Sequence, residues 1–260
     1  MKIMLYNLDH GGRKGNNLYA RWPALIKTIK SINPDIAVLL ECWDWEEKKQ
    51  FKKFAEKLGY PYYYFSSSNT KHHIGLVAKI KPAKIKKYRK NFHHSVLQAH
   101  FDQPLDFNIF GVHLSPKTEA ARLEEAKRII KLAESNQPAI VIGDFNSLSP
   151  LDGYNEKKLI GQFQKNNISK FGKNKLEKRA IAKILKAGLI DIYKIQHQDK
   201  KLHYSVPSQY CQDCDHAAKM RLDYAFIDKS LIKIVTASKI IKNRLTDKSS
   251  DHYPLVLELK

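Results

Sequence analysis

The chain has 260 residues and a formal net charge of +20, with 43% hydrophobic and 10% aromatic residues. That length holds one sizeable domain with a true core, or two small ones, and the composition excludes a disordered or fibrous chain. No apolar run is long enough to span a bilayer, "MKIMLYNLDHGG" turns polar too early for a signal peptide, and Cys42, Cys211 and Cys214 suggest thiols rather than a disulfide framework, so a soluble cytoplasmic monomer is expected.

Strand and helix patterns alternate from the start. "KIMLYN" reads as a buried strand, and Leu18, Trp22, Leu25, Ile26, Ile29 and Ile32 recur at helical spacing. Pro34 stops that helix, and Ile36 to Leu40 form an apolar strand that ends on Glu41. Residues 46–58 read as helix. Short strands follow in succession: "YYYFSS", "IGLVAKI", "SVLQAHF" and "LDFNIFGVHL". A helix is expected from Glu119 to about Ser135, then the buried strand "PAIVIGDFN". Residues 146–175 read as a long polar loop, and residues 176–187 as a helix closed by Gly188. "LDYAFID", "LIKIVTASKI" and "PLVLEL" complete the strands. Apolar strands with antiparallel meanders and flanking helices indicate two packed sheets covered by helices in a single domain, residues 1–260.

Polar residues recur where the apolar strands stop. Asn7 follows "IMLY", Glu41 follows "IAVLL", His113 follows "NIFGV", and Asp144 and Asn146 follow "AIVIG". Asp223 opens "DYAFI", and Asp251 and His252 precede "PLVLEL". Taken singly, a strand-end Asn or Asp is a turn former more often than a ligand. Taken together, the set offers oxygen donors suited to a hard cation and imidazoles suited to proton transfer. If the strands share a sheet, these residues converge on one edge, where open α/β sheets place ligands.

The motifs "YNLDHGG", "PDIAVLLE", "GVHLSP", "GDFNSLSP", "MRLDYAFI" and "SSDHYP" run in order from residue 6 to residue 254. In that order the chain resembles the endonuclease/exonuclease/phosphatase superfamily, the DNase I-like hydrolases. The resemblance implies a four-layer α/β/β/α sandwich of two mixed sheets and hydrolysis of a phosphoester by in-line attack of water. It implies an essential Mg²⁺, with Mn²⁺ as a substitute, held by Glu41 with Asn7 and Asp251 nearby. It implies that Asp144, held by Asn146, activates the water. His252, oriented by Asp223, would contact the phosphoryl group, and His113 would donate a hydrogen bond to the transition state. The "HLSP" around His113 resembles DNase I, sphingomyelinase and small bacterial members. The match to AP endonucleases is weaker, since Leu40 stands where they carry Gln before the metal Glu.

Substrate class is read from charge. The +20 balance fits a polyanionic partner, DNA or RNA, and equally a lysine-rich composition. Seven basic residues and no acid fall between Lys79 and Lys90, and seven basic residues against Glu177 fall between Lys165 and Lys183; either run is also compatible with a solvated face or loop. A nuclease is the favoured reading. A phosphoesterase for small molecules or phospholipid headgroups, and a non-catalytic nucleic-acid-binding module, are the alternatives. Candidate substrate contacts are His72, His73, Asp152, Lys84, Lys86, Lys87 and Arg89. Tyr88, Phe92, Phe163 and Phe171 fit base stacking or core equally. "GGRKGNN" lacks the P-loop pattern and reads as a turn. Cys211, Cys214 and His216, with His203 as a fourth donor, offer an incomplete zinc pattern that reads better as a loop.

Overall fold

The computed structural model describes residues 1–199, 201–210 and 218–260. Cys211, Cys214 and His216 of the incomplete zinc pattern lie outside the described residues. The chain-order elements are β1 (Lys2–Asn7), α1 (Trp22–Ile32), β2 (Ile36–Trp43), α2 (Lys52–Leu58), β3 (Tyr62–Ser66), β4 (His72–Ala78), β5 (Lys84–Tyr88), β6 (Val96–Phe101) and β7 (Phe107–His113). They continue with α3 (Glu119–Glu134), β8 (Ala139–Asp144), α4 (Glu156–Lys165), α5 (Arg179–Lys186), β9 (Ile190–Asp191), α6 (Ile192–Gln196), β10 (Asp223–Ile227), β11 (Val235–Ile240) and β12 (Leu255–Leu259).

The strands form two six-stranded mixed sheets, ordered β11-β12-β1-β2-β4-β3 and β5-β6-β7-β8-β10-β9. Strand alternation builds the layers. Ile3, Leu5, Ile36, Val38, Ile74 and Leu76 of the first sheet pack against Leu97, Ile109, Ile140, Ile142, Ala225 and Ile227 of the second. The alternate residues Met4, Tyr6, Ala37, Leu39 and Val77 face outward and are covered by Trp22, Leu25 and Ile29 of α1 and Phe54, Ala55 and Leu58 of α2. On the second sheet, Phe110, Val112, Val141, Tyr224 and Phe226 meet Ala126, Ile129 and Ile130 of α3 and Ile181 and Ile184 of α5. The result is the four-layer α/β/β/α sandwich that the resemblance implies.

Departures from the sequence reading are local. The first helix begins at Trp22, with Pro23 in its first turn, and ends on Asn33 in the left-handed conformation at φ 51°; Leu18 lies in the preceding turns. The segment 146–175 is not a bare loop. It contains α4, whose N-terminus is capped by the Asn155 side chain accepting from the Lys158 amide. Leu159, Ile160 and Phe163 of α4 pack with Leu148, Phe171, Met220 and Leu222 in a satellite core. That apolar face is only a few residues long among Lys, Gln and Asn, so composition hid it. Phe163 and Phe171 are therefore core residues, stacked at 5.2 Å. No helix among the described residues is long and apolar enough to cross a membrane.

Candidate functional site

Three adjacent strands of the second sheet deliver one row of side chains. His113 pairs in register with Asp144 across β7 and β8, and Asp144 with Asp223 across β8 and β10. Along these strands Ile109, Ile140 and Ala225 point between the sheets; period-2 alternation carries His113, Asp144 and Asp223 to the same inner side at the strand ends. Gly143 is required beside them, because a Cβ there would stand 1.9 Å from the Val112 carbonyl oxygen. The turn after β8 holds Asn146 at φ 48°, a left-handed conformation that Asn tolerates better than most residues. Its backbone amide donates to Asp144 Oδ1 at 2.8 Å and its Nδ2 donates to the Leu114 carbonyl at 3.2 Å.

The segment before β12 brings the remaining pair. The Ser250 hydroxyl donates to the Asn7 carbonyl at 2.7 Å and accepts from the His252 amide at 3.2 Å. The Ser208 amide donates to the Asp251 carbonyl at 2.7 Å. This serine stitching fixes the turn that opens the final strand. His252 Nδ1 lies 2.7 Å from Asp223 Oδ2, so it donates to the carboxylate and its Nε2 is directed to the other side, 3.9 Å from Asp144 Oδ2. His113 Nε2 is 3.5 Å from the same Asp144 oxygen. Two imidazoles and one carboxylate oxygen thus share one point.

Across the gap, the first sheet presents Glu41. The β2–β4 ladder shifts register between Leu39 and Cys42, and Glu41 itself sits at φ 54°. The bulge breaks the strict alternation of β2 and re-aims Glu41. Its Oε1 accepts from Asn7 Nδ2 at 3.1 Å and its Oε2 from the His10 amide at 3.0 Å. His72 Nδ1 approaches Oε2 to 3.4 Å. Asp9 and His10, also at positive φ (47° and 51°), complete a mixed donor set: Asp9, His10 and Glu41 each offer an atom within 4.8 Å of the others. Carboxylate and imidazole donors at that spacing fit a divalent ion. Non-glycine residues in the left-handed region cost roughly 1–3 kcal/mol each; four of the eight among the described residues, Asp9, His10, Glu41 and Asn146, belong to this one site.

Burial sets the electrostatics. Asp144 is pushed up to about 7, chiefly by burial, with His252 opposing. Asp251 is likewise raised by burial to about 6. Burial lowers His113 to about 3, leaving it neutral at ordinary pH. His252 experiences the same burial, but Asp223 and Asp251 outweigh it and hold the imidazolium well above its ordinary value. For Glu41, burial favours the neutral acid and the neighbouring imidazoles, His72 first, outweigh it, so the carboxyl stays well below its usual range. A proton acceptor poised near neutrality and an imidazolium beside it are suited to acid–base chemistry on an anion.

Not every candidate joins the site. His72 does: its ring lies 5.4 Å from that of His94 and 6.2 Å from that of His113. His73, the next residue on the strand, faces the other way, edge-on to Phe65 at 5.1 Å with Nδ1 accepting from the Ser68 amide at 2.9 Å. Asp152 is committed to Arg221, whose Nε and Nη2 donate to it at 2.9–3.2 Å in a buried cluster, so a substrate contact by Asp152 is replaced by a structural ion pair. The basic run on β5 divides by strand period. Lys84 and Lys86 are exposed on the face of Tyr88, while Lys87 lies on the opposite face, 3.8 Å from Glu47. Lys84 pairs with His100 at the end of β5 far from His113, and Tyr88 with Val96 at the near end, so only Arg89 follows toward the site. His203 is held by Asp199 at 2.7 Å and Tyr193 at 3.0 Å. Sequence reasoning missed Asp9, His10 and His94. The first two stand inside the quoted "YNLDHGG". His94 opens "HSVLQAHF", stacks on His113 at 4.3 Å, and has Nδ1 2.6 Å from the Thr70 hydroxyl.

Comparison with solved structures places the fold. An AP endonuclease from Archaeoglobus fulgidus superposes with a TM-score of 0.75 at 18% identity, covering 100% of this chain and 99% of that one. A 3′ phosphatase from Neisseria bound to a product DNA hairpin gives 0.75 at 16% identity, with 100% and 99% covered. An endonuclease/exonuclease/phosphatase family protein from Leptotrichia buccalis gives 0.69 at 19%, with the same coverage. No curated protein matches the sequence. The model of the Endonuclease/Exonuclease/phosphatase family matches residues 4–252, and the chain accordingly belongs to that family of hydrolytic phosphoesterases.

Proposed function

We propose that this enzyme is a divalent-metal-dependent nuclease that hydrolyses phosphodiester bonds of DNA or RNA. The observation that carries the reading is the shared point at Asp144 Oδ2, within 3.5 Å of His113 Nε2 and 3.9 Å of His252 Nε2, opposite the Glu41 donor set on the facing sheet.

Asp144 takes the proton of the attacking water. The Asn146 amide fixes one of its oxygens, and burial has brought its basicity to the range where a general base works at neutral pH. His252, charged and clamped by Asp223, pairs with a non-bridging phosphate oxygen. Neutral His113 offers a hydrogen bond to the charge that grows on the phosphoryl group. Glu41, with Asn7, Asp251 and the neighbouring Asp9 and His10, would hold the ion, Mg²⁺ by the family resemblance. Such an ion neutralises phosphate charge and stabilises the leaving oxygen. The new P–O bond comes from water, whose proton passes to Asp144; the old one breaks with its electron pair on the leaving oxygen, which takes a proton from solvent to become the alcohol, and the phosphate product carries the remaining charge.

The positive balance of +20 supports a polyanionic substrate. Arg89, beside the loop that carries His94, is the basic side chain best placed to meet a strand leading into the site. The test is a plasmid-nicking assay beside 3′-phosphorylated oligonucleotides, phosphomonoesters and headgroup lipids, each with and without Mg²⁺. Metal-dependent cleavage of the nucleic acids is expected. Rapid turnover of a small phosphoester by a preparation inert on DNA and RNA would transfer the reading to a small-molecule phosphoesterase.

A further inference from the structure

We infer that Lys219 and Lys242, gathered on the ring of Tyr204, form a subsite for a backbone phosphate of the nucleic acid, next to the reacting phosphate and on the flank of the site opposite Arg89. The inference rests on the proposed nuclease reading and deepens it by naming where the substrate strand is held.

Topology puts this cluster beside the catalytic row. Tyr204 precedes Ser205, whose hydroxyl accepts the amides of Leu222 and Asp223 at 3.1 and 3.2 Å. Val206 and Met220 form an antiparallel bridge that brings Lys219 back alongside. Lys242 leaves the sheet just after Ile240, which pairs with Leu255 at the start of β12, and the Ile241 amide donates to the Pro254 carbonyl at 2.9 Å. Both lysines are thus tied to the chain segments that deliver Asp223 and His252. The sheets face each other strand by strand: β12 packs on β10, β2 on β7 and β8, and β3 on β5 and β6. The functional edge accordingly runs from Lys242, through His252, Asp144 and His113, to Arg89 after β5. A strand laid across that row meets cations at both ends.

The electrostatics of the cluster point to an anion. Lys242 Nζ lies 3.1 Å from the Tyr204 ring centroid and 5.1 Å from that of Tyr253, and Lys219 Nζ lies 4.9 Å from that of Tyr204. One ammonium on an aromatic ring is an ordinary cation–π contact. Two on one ring repel each other. Burial, and then Lys219, lower Lys242 to about 8. Asp247 opposes the shift, but its carboxylate already accepts from the Tyr253 hydroxyl at 2.6 Å. No ion pair joins either lysine among the described residues. A phosphate between the two ammonium groups offsets both their repulsion and the partial burial of Lys242. The rings do not offer a base platform: Lys242 covers Tyr204, and Tyr253, edge-on to it at 6.1 Å, is buried. Lysine ammonium groups bind phosphate as point charges, and phosphate contacts position a nucleic acid without reading its sequence.

Binding, measured without turnover, tests the assignment. Fluorescence anisotropy in EDTA gives the affinity of a labelled single-stranded oligodeoxynucleotide, and of the oligoribonucleotide of the same sequence, over a series of salt concentrations. Three paired variants are compared with the unsubstituted chain: Lys219→Gln with Lys242→Gln, Lys219→Arg with Lys242→Arg, and Lys30→Gln with Lys131→Gln. The last pair removes the same charge from exposed positions in the final turns of α1 and α3, which lead into the starts of β2 and β8, the ends of those strands away from Glu41 and Asp144. The Gln pair at the subsite should weaken both oligonucleotides about tenfold and reduce the salt slope of log affinity by about 0.7, the value for one phosphate contact on a single strand. The Arg pair should keep the slope, and the remote pair should stay within about twofold of the unsubstituted chain. Unchanged affinity in the Gln pair, an equal loss in the remote pair, a slope that the Arg pair fails to keep, or a loss confined to DNA or to RNA would each overturn the phosphate subsite. Any of these results beside Mg²⁺-dependent cleavage of the same oligonucleotides by the unsubstituted chain defeats the subsite and leaves the nuclease reading standing. An unsubstituted chain that neither binds nor cleaves them defeats both.

Discussion

Two clusters of buried charge sit in this molecule, built from the same residue types and arranged to opposite ends. In one, Arg221 lies between Asp152 and Asp191. Its Nη1 and Nη2 donate to Asp191 at 3.0 and 2.7 Å, its Nε and Nη2 donate to Asp152, and its guanidinium lies 4.4 Å from the Tyr224 ring centroid. Although burial alone would lower it, the two carboxylates hold the guanidinium firmly protonated. In the other, Asp144, Asp223, Asp251 and His252 bring three carboxylates to one imidazole, and Asp144 and Asp251 are driven up by burial. The first cluster satisfies its charges, with two carboxylates closed on one guanidinium. The second holds carboxylates above their ordinary range beside a charged imidazole. Buried carboxyl groups held above their ordinary range mark a reactive site.

Substitution should separate the clusters by sign. Asp144→Asn is expected to lower turnover by about 10³-fold, within the range for loss of a general base, and to raise the melting temperature of the metal-free protein, because a carboxyl whose charged form burial disfavours is replaced by a neutral amide. Asp191→Asn should do the reverse, costing about 3–5 kcal/mol by leaving Arg221 half-paired, with the surviving folded fraction retaining its turnover. Steady-state kinetics beside urea unfolding read both. Loss of activity without any gain in stability in Asp144→Asn would place Asp144 in the satisfied class.

The two clusters should also differ in pH response. Asp144 has a folded value of about 7 against an ordinary 3.8, and Asp251 about 6. Raised carboxyl groups favour the protonated folded state. Their contribution is fully present below about pH 4 and disappears as pH rises through 6 to 7. His252, also raised, contributes stability that is present below its ordinary range and lost only as pH rises through its folded value. The metal-free protein should therefore lose stability from pH 5 to pH 8, and Asp144→Asn should flatten that slope. Asp191→Asn should lower the whole curve.

The sequence exposed the second cluster better than the first. Asp144, Asp223, Asp251 and His252 each interrupt an apolar strand, and a polar residue at the end of such a strand is visible without coordinates. Strand order was not visible, yet it is the register of β7, β8 and β10 that sets His113, Asp144 and Asp223 side by side. Asp152, a candidate substrate contact, also stands after an apolar residue in the chain. Only the fold shows that Arg221, far along the chain, occupies it. Asp9 and His10 were overlooked because a turn sequence such as "DHGG" carries no periodicity. Their nearness to Glu41 depends on a bulge in β2 that no local pattern announces. The helix α4 escaped for a related reason: its apolar face is short, and its partner residues Leu148, Phe171 and Met220 are distant in sequence.

Surface charge forms a third class, neither satisfied by burial nor strained by it, and its removal should have the smallest effect. Lys84, Lys86 and Arg89 are exposed, and Lys87 is half of a pair with Glu47 at 3.8 Å. Exposed pairs of this kind contribute about 0–1 kcal/mol to stability, so replacing all four with Gln should barely move the unfolding midpoint. If the substrate is a long nucleic acid, each lost phosphate contact should reduce the salt slope of log affinity by about 0.9 on duplex DNA. The β5 geometry sharpens the expectation. Arg89→Gln alone should account for most of the change, and Lys84→Gln, at the end of the strand away from His113, for almost none. Turnover of a small chromogenic phosphodiester should be unaffected in every variant, since none of these side chains touches the Asp144 cluster. An equal share of the salt slope from Lys84 and Arg89 would mean that the strand crosses the whole edge of the second sheet, and no change in slope from any of them would remove β5 from the nucleic-acid path.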